Sequence, residues 1–105
     1  MRLTEILTEA QWGKGGAVSG PGLVCLSTAI KRACYASHLG ADARCAVFGV
    51  IRDVIREKFP GRVYVVRPEA VVPDFNDAPE TTWGDVAFVL GEAERRLDVL
   101  SAERG

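Results

Sequence analysis

Cys25 stands where a thiol nucleophile would be activated. It follows Gly20-Pro21-Gly22 and opens a segment with helical spacing, so the dipole of that helix would lower a thiol pKa. The general base would have to be His38, the one histidine in the chain, with Asn76 or Asp77 orienting it. Geometry opposes the pair. Along one continuous helix, Cys25 and His38 would lie roughly 20 Å apart, so the helix would have to break for them to meet. A small cysteine buried near a helix start is the plainer reading. A thiol-dependent enzyme or ligand-binding domain built on Cys25, His38 and the Asn76-Asp77 loop is therefore the alternative function.

Two other chemistries fail on spacing. Cys34 and His38 share a helix face at i and i+4, and Cys45 follows, which would begin a zinc site. There is no CxxC pair and no fourth ligand, so neither a metal nor a cofactor is expected. The stretch Gly13-Lys14-Gly15-Gly16 … Ser19-Gly20-Pro21-Gly22 superficially resembles a phosphate-binding loop. It follows no strand and lacks the GxxxxGK[ST] pattern, so it is a weak nucleotide signal.

Phe75-Asn76-Asp77-Ala78-Pro79 is more informative. Asn and Asp side chains bond to nearby backbone and favour turns. Asn76 and Asp77 are expected to tie the incoming chain to the start of the last helix, with Phe75 packed beneath. Thr82-Trp83-Gly84-Asp85 has the spacing of a capping box, with Asp in place of the commoner Glu, so Thr82 and Asp85 are assigned as helix caps.

These residues need elements to hold them. Leu3, Ile6, Leu7 and Ala10 recur on one face of a short first helix that stops at Trp12-Gly13. Residues 13–22 form a loop. Leu26, Ala29, Ile30, Ala33 and Ala36 give a second helix, from Leu23 to about Ala36 and ended by Gly40. Val47, Val50, Ile51, Val54 and Ile55 stripe a third over Ala41–Phe59, which Pro60-Gly61 terminates. Val86, Leu90, Ala93, Leu97 and Leu100 mark the last, at a spacing that suits a bundle seam or a helix-mediated dimer. Between them, Arg62–Val66 has strong β-propensity, and Ala70-Val71-Val72 would pair back across Arg67-Pro68-Glu69. A hairpin at 62–72 and an extended connector whose valines plug the core both fit. The expected fold is mainly α, a three- to four-helix domain over residues 1–105, ordered from about 2 to 100.

Composition narrows the partners. The chain has 105 residues, 13 basic and 14 acidic, for a net charge of −1. That total carries no electrostatic footprint for nucleic acid. The longest apolar run, Val86 to Leu90, is too short for membrane insertion. With no signal-peptide pattern after Met1 and three cysteines, of which Cys25 and Cys34 are too far apart along a helix to bridge, a cytoplasmic protein is expected.

Trp12-x-x-Gly15, Cys25 followed by Ala29-Ile30-x-x-Ala33, and Phe75-Asn76-Asp77-Ala78-Pro79-x-Thr81-Thr82-x-x-Asp85-Val86 together resemble a family of short actinobacterial and actinobacteriophage proteins of unknown function. The resemblance runs from about residue 4 to 97. Phe75 stands where the family usually has Trp or Tyr, Thr28-Ala29 replaces a Gly-Ala pair, and 60–72 is longer than usual. The resemblance implies an actinobacterial or phage origin and supplies no catalytic residues. The leading expectation is a non-enzymatic protein that binds another protein, through Val63, Tyr64, Val65, Val66 and Trp83, and that also has a surface for homodimer formation. For a phage gene, the target would be a host protein and the effect inhibition of host growth.

Overall fold

The computed structural model describes residues 2–14, 23–63 and 67–104, with side chains to residue 100. The described residues form four α-helices, α1 (Leu26–Ala36), α2 (Ala41–Lys58), α3 (Val71–Asp77) and α4 (Trp83–Arg104), with two short 3-10 turns before α1 and two between α2 and α3. The fold is mainly helical, as the apolar spacing requires. Among the described residues there is no strand. A single parallel bridge joins Trp12 and Val24.

α2 and α4 form the principal pair, and α3 lies against both α1 and α2. Ile51, Val54 and Ile55 of α2 meet Val86, Val89, Leu90 and Ala93 of α4 in one buried cluster, which Ile30 and Cys34 of α1 complete. Of the core expected from these stripes, Leu7, Ala29, Ile30, Val47, Ile51, Val54, Ile55, Val86, Leu90 and Ala93 are buried, and Ala33 and Leu97 are half-buried; Ala10, Ala36 and Leu100, at the ends of their stripes, are exposed.

Three local expectations give way to stronger physics. The first amphipathic stretch is not one helix but two 3-10 turns, Leu3–Glu5 and Glu9–Gln11, with Thr8 extended between them. A helix of two to three turns is marginal in isolation. Burying Leu3 and Leu7 needs only the turns. Residues 70–72 are helical, which removes the return strand of the proposed hairpin. Pro68 opens a 3-10 turn over Pro68–Ala70, and α3 follows directly with Pro73 in its first turn, where its missing N–H costs nothing. Val71, Val72 and Phe75 are thereby buried, and that burial outweighs the β-propensity of valine. The other half of the hairpin, Tyr64, Val65 and Val66, lies outside the described residues. Finally, α1 begins at Leu26 rather than Leu23 and is ended by His38, not Gly40. His38 adopts φ 55°, its N–H bonds to the Tyr35 carbonyl, and the Leu39 N–H reaches the Cys34 carbonyl. That is a Schellman end with histidine in the left-handed position glycine usually fills. Gly40 is instead the N-cap of α2.

Candidate functional site

Trp12-Gly13, the first residue of α1 and Asp77 converge on Asn76. This side chain is fully buried in the last turn of α3. Its Oδ1 accepts the Trp12 indole N–H at 2.7 Å and the Leu26 backbone N–H at 3.0 Å. Its Nδ2 donates to the Gly13 carbonyl at 3.1 Å and to Asp77 Oδ1 at 3.0 Å. An amide has two acceptor and two donor positions, so all four are used.

The bond to Leu26 has a local cause. Leu26 is the first residue of α1, and the N-cap position is Cys25, whose thiol makes no capping bond. The first N–H groups of a helix need acceptors from elsewhere. Asn76, fifty residues away, supplies one. It does not tie the chain to the last helix, as the sequence suggested; it closes α3 onto α1 and Trp12. That second job falls to Thr81, whose buried hydroxyl donates to the Phe75 carbonyl at 2.7 Å.

Around this hub the chain is locked on both sides. The Gly13 N–H donates to the Val24 carbonyl and the Val24 N–H to the Gln11 carbonyl, which joins the two ends of the glycine-rich loop. A Cβ on Gly13 would sit 3.2 Å from that of Leu23, closer than ordinary van der Waals contact. The loop residues 15–22 lie outside the described residues. Lys14, from the glycine-rich stretch, points at Ala78 and Pro79, donating to their carbonyls at 2.8 and 3.2 Å. Trp83, assigned to a binding surface, is half-buried with its ring 6.2 Å from that of Trp12. Val63 is half-buried against the core.

The start of α4 behaves as its spacing requires. The Thr82 N–H donates to Asp85 Oδ2 at 3.1 Å, and the Asp85 N–H to Thr82 Oγ1 at 3.3 Å, the two halves of a capping box. Arg62 adds what the sequence did not reveal. Its guanidinium pairs with Asp85, reaches Thr81 Oγ1, and lies 4.8 Å over the Phe59 ring. Partial burial pushes the Asp85 carboxyl up, but the Arg62 and Thr82 bonds outweigh it and hold the group below its ordinary value.

The thiol constellation does not assemble. Cys25 precedes α1 and His38 follows it, with the helix unbroken between them. Cys25 is half-buried, with its sulfur 3.2 Å from Thr28 Oγ1, and His38 is exposed. Asn76 adjoins Cys25 through Leu26 but has no bonding capacity left for a third group. Cys34 is buried and its thiol is pushed up by that burial, while Cys45 is exposed. Among the described residues no three His, Cys, Asp or Glu side chains are placed to hold a metal ion. Nor is any helix long and apolar enough to cross a membrane.

Trp12, Asn76, Asp77, Thr81, Thr82 and Asp85 are thus brought into one connected structure. A family model matches residues 2–96. The chain belongs to DUF6197, a family of unknown function. No curated protein and no solved structure shows detectable similarity to it. In this DUF6197 chain the Trp12 and Asn76-Asp77-Ala78-Pro79 positions form a clamp between α1, α3 and the first residues of the domain.

Proposed function

We propose that the chain is a non-enzymatic protein that acts by binding another protein. The observation that supports this most is the saturation of Asn76, whose amide is spent entirely on bonds inside the fold. Cys25 and His38, the remaining nucleophile and base, sit at opposite ends of α1. Outward, the chain instead presents large apolar side chains, Tyr35 and Phe88 among them. Aromatic groups of this kind anchor protein interfaces.

The resemblance to actinobacterial and actinobacteriophage proteins supplies a context. In it the gene is borne by a phage or its host, the protein works in the host cytoplasm, and a host protein is the target. Controlled expression in an actinobacterial host tests this. Growth slows with the wild-type chain, and the Cys25→Ala and His38→Ala variants slow it equally. If growth is unaffected by the wild type, the inhibitor role is wrong. If Cys25→Ala alone relieves inhibition, and an activity-based thiol probe labels folded Cys25 above a denatured control, the thiol-enzyme alternative takes its place.

A further inference from the structure

One surface has the composition of a recognition site. Lys31 and Tyr35 stand at i and i+4 on α1, and Arg44, Phe48 and Arg52 run along one stripe of α2. Between these helices lies an open cleft of about 310 Å³ that continues into a smaller one of about 210 Å³. Lys31, Phe48 and Arg52 line both, so the two are one groove, floored at its far end by Val72.

Three observations say what fits it. The floor is apolar and aromatic, with Phe48 half-buried and the Tyr35 side chain 65% exposed. Tyr35 is nonetheless fixed, because the Arg44 guanidinium sits 5.2 Å over its ring and is itself anchored to the Leu39 carbonyl at 3.1 Å. An exposed tyrosine held in place by an arginine gives up little entropy on binding. The rim is cationic. The ion pairs among the described residues are made by Arg2, Arg62, Arg95 and Arg96, and none reaches Lys31, Arg44 or Arg52. Among the described residues, Glu69 is the single carboxylate lining the groove.

We infer that the groove between α1 and α2 is a docking site for an acidic peptide segment that carries an apolar anchor residue. The anchor seats on Phe48 and Tyr35, and flanking carboxylates pair with Lys31, Arg44 and Arg52. Such a segment is favoured over nucleic acid because the floor is apolar and the chain as a whole is slightly negative, which does not attract a polyphosphate. This inference rests on the protein-binding reading above and specifies its partner.

The test uses the full chain and a fluorescein-labelled twelve-residue peptide of Glu and Asp with one Trp and two Leu, read by anisotropy at two salt concentrations. Binding is saturable, one-to-one and weakened by salt. Replacing the peptide's acids by Gln weakens it by at least tenfold, as does Arg44→Glu/Arg52→Glu in the protein. Tyr35→Ala, on an exposed side chain that leaves the fold intact, weakens it severalfold, and Lys58→Glu, outside the groove, leaves it unchanged. Equal binding of the Gln peptide, or no effect of the charge reversals, overturns the inference. So does tighter binding of a twelve-nucleotide single strand, or a dimer that Tyr35→Ala converts to monomer. If the peptide fails while a host protein is still retained by the charge-reversed variant, the binding function stands and only its location is wrong. If nothing is retained by either chain, both readings fail.

Discussion

The Trp12 indole N–H donates to Asn76 Oδ1 across 2.7 Å and sixty-four residues of sequence. The same oxygen takes the first free N–H of α1, so one amide holds together the beginning of the domain, its first α-helix and its shortest one.

Replacing Asn76 therefore leaves several buried groups unpaired. An unsatisfied buried donor or acceptor costs about 1–3 kcal/mol, so Asn76→Ala should destabilise the domain by at least ~2 kcal/mol. Asn76→Asp keeps the shape but sets a carboxylate oxygen against the Gly13 carbonyl and Asp77, and should be no better. Trp12→Phe removes one of the bonds and should cost about 1 kcal/mol. Thermal and urea unfolding measure each. A double-mutant cycle between Trp12 and Asn76 should show a coupling of at least ~0.5 kcal/mol. Additive effects would mean the bond does not operate in solution.

His38 makes an opposite prediction. A side chain in the left-handed region costs about 1–2 kcal/mol, of which glycine returns part through its own greater freedom when unfolded. His38→Gly should therefore raise stability by about 0.5–1 kcal/mol, seen as a higher melting temperature. A lower one would show that the imidazole is engaged in something the α1 terminus does not require.

Ile51 tests the core. It is completely buried at the α2–α4 seam, and Ile51→Asp places an unpaired carboxylate there. The variant should lose its cooperative thermal transition. A soluble protein with unchanged melting would mean that α2 faces the other way.

Acid should weaken the fold through the carboxylates of α4. Asp85, held by Arg62, lies below its ordinary 3.8, and Glu92, held first by Arg95 and then by Arg96, is drawn down to about 2. Both folded values lie below the unfolded ones. Their contribution is thus complete above about pH 4–5, where the unfolded chain is also ionised, and is lost as pH falls toward 2. The melting temperature should hold from neutral pH to about 5 and then drop. For Arg62→Ala the gap from wild type should be widest at neutral pH and narrow in acid. A gap that stays constant would contradict the assignment of Asp85.

What the sequence discloses of all this depends on range. α2 and α4 are long, with apolar stripes and, at Thr82-x-x-Asp85, a capping signal contained in four residues; local rules suffice for them. α3 is seven residues long and rich in valine, and only tertiary burial makes it helical. The roles of Asn76, Lys14 and Arg62 depend on partners 19 to 65 residues away, which no spacing rule reports. The motif was visible as a pattern; that it turns inward was not.

The measurement closest to the central claim is the light-scattering mass of the tagged chain after recovery from actinobacterial lysate, for the wild type and for Cys25→Ala/His38→Ala. If the chain works by binding, both recover the same protein in a complex of one fixed stoichiometry. A bare monomer at every concentration, or a complex that forms only with Cys25 and His38 intact, would contradict it.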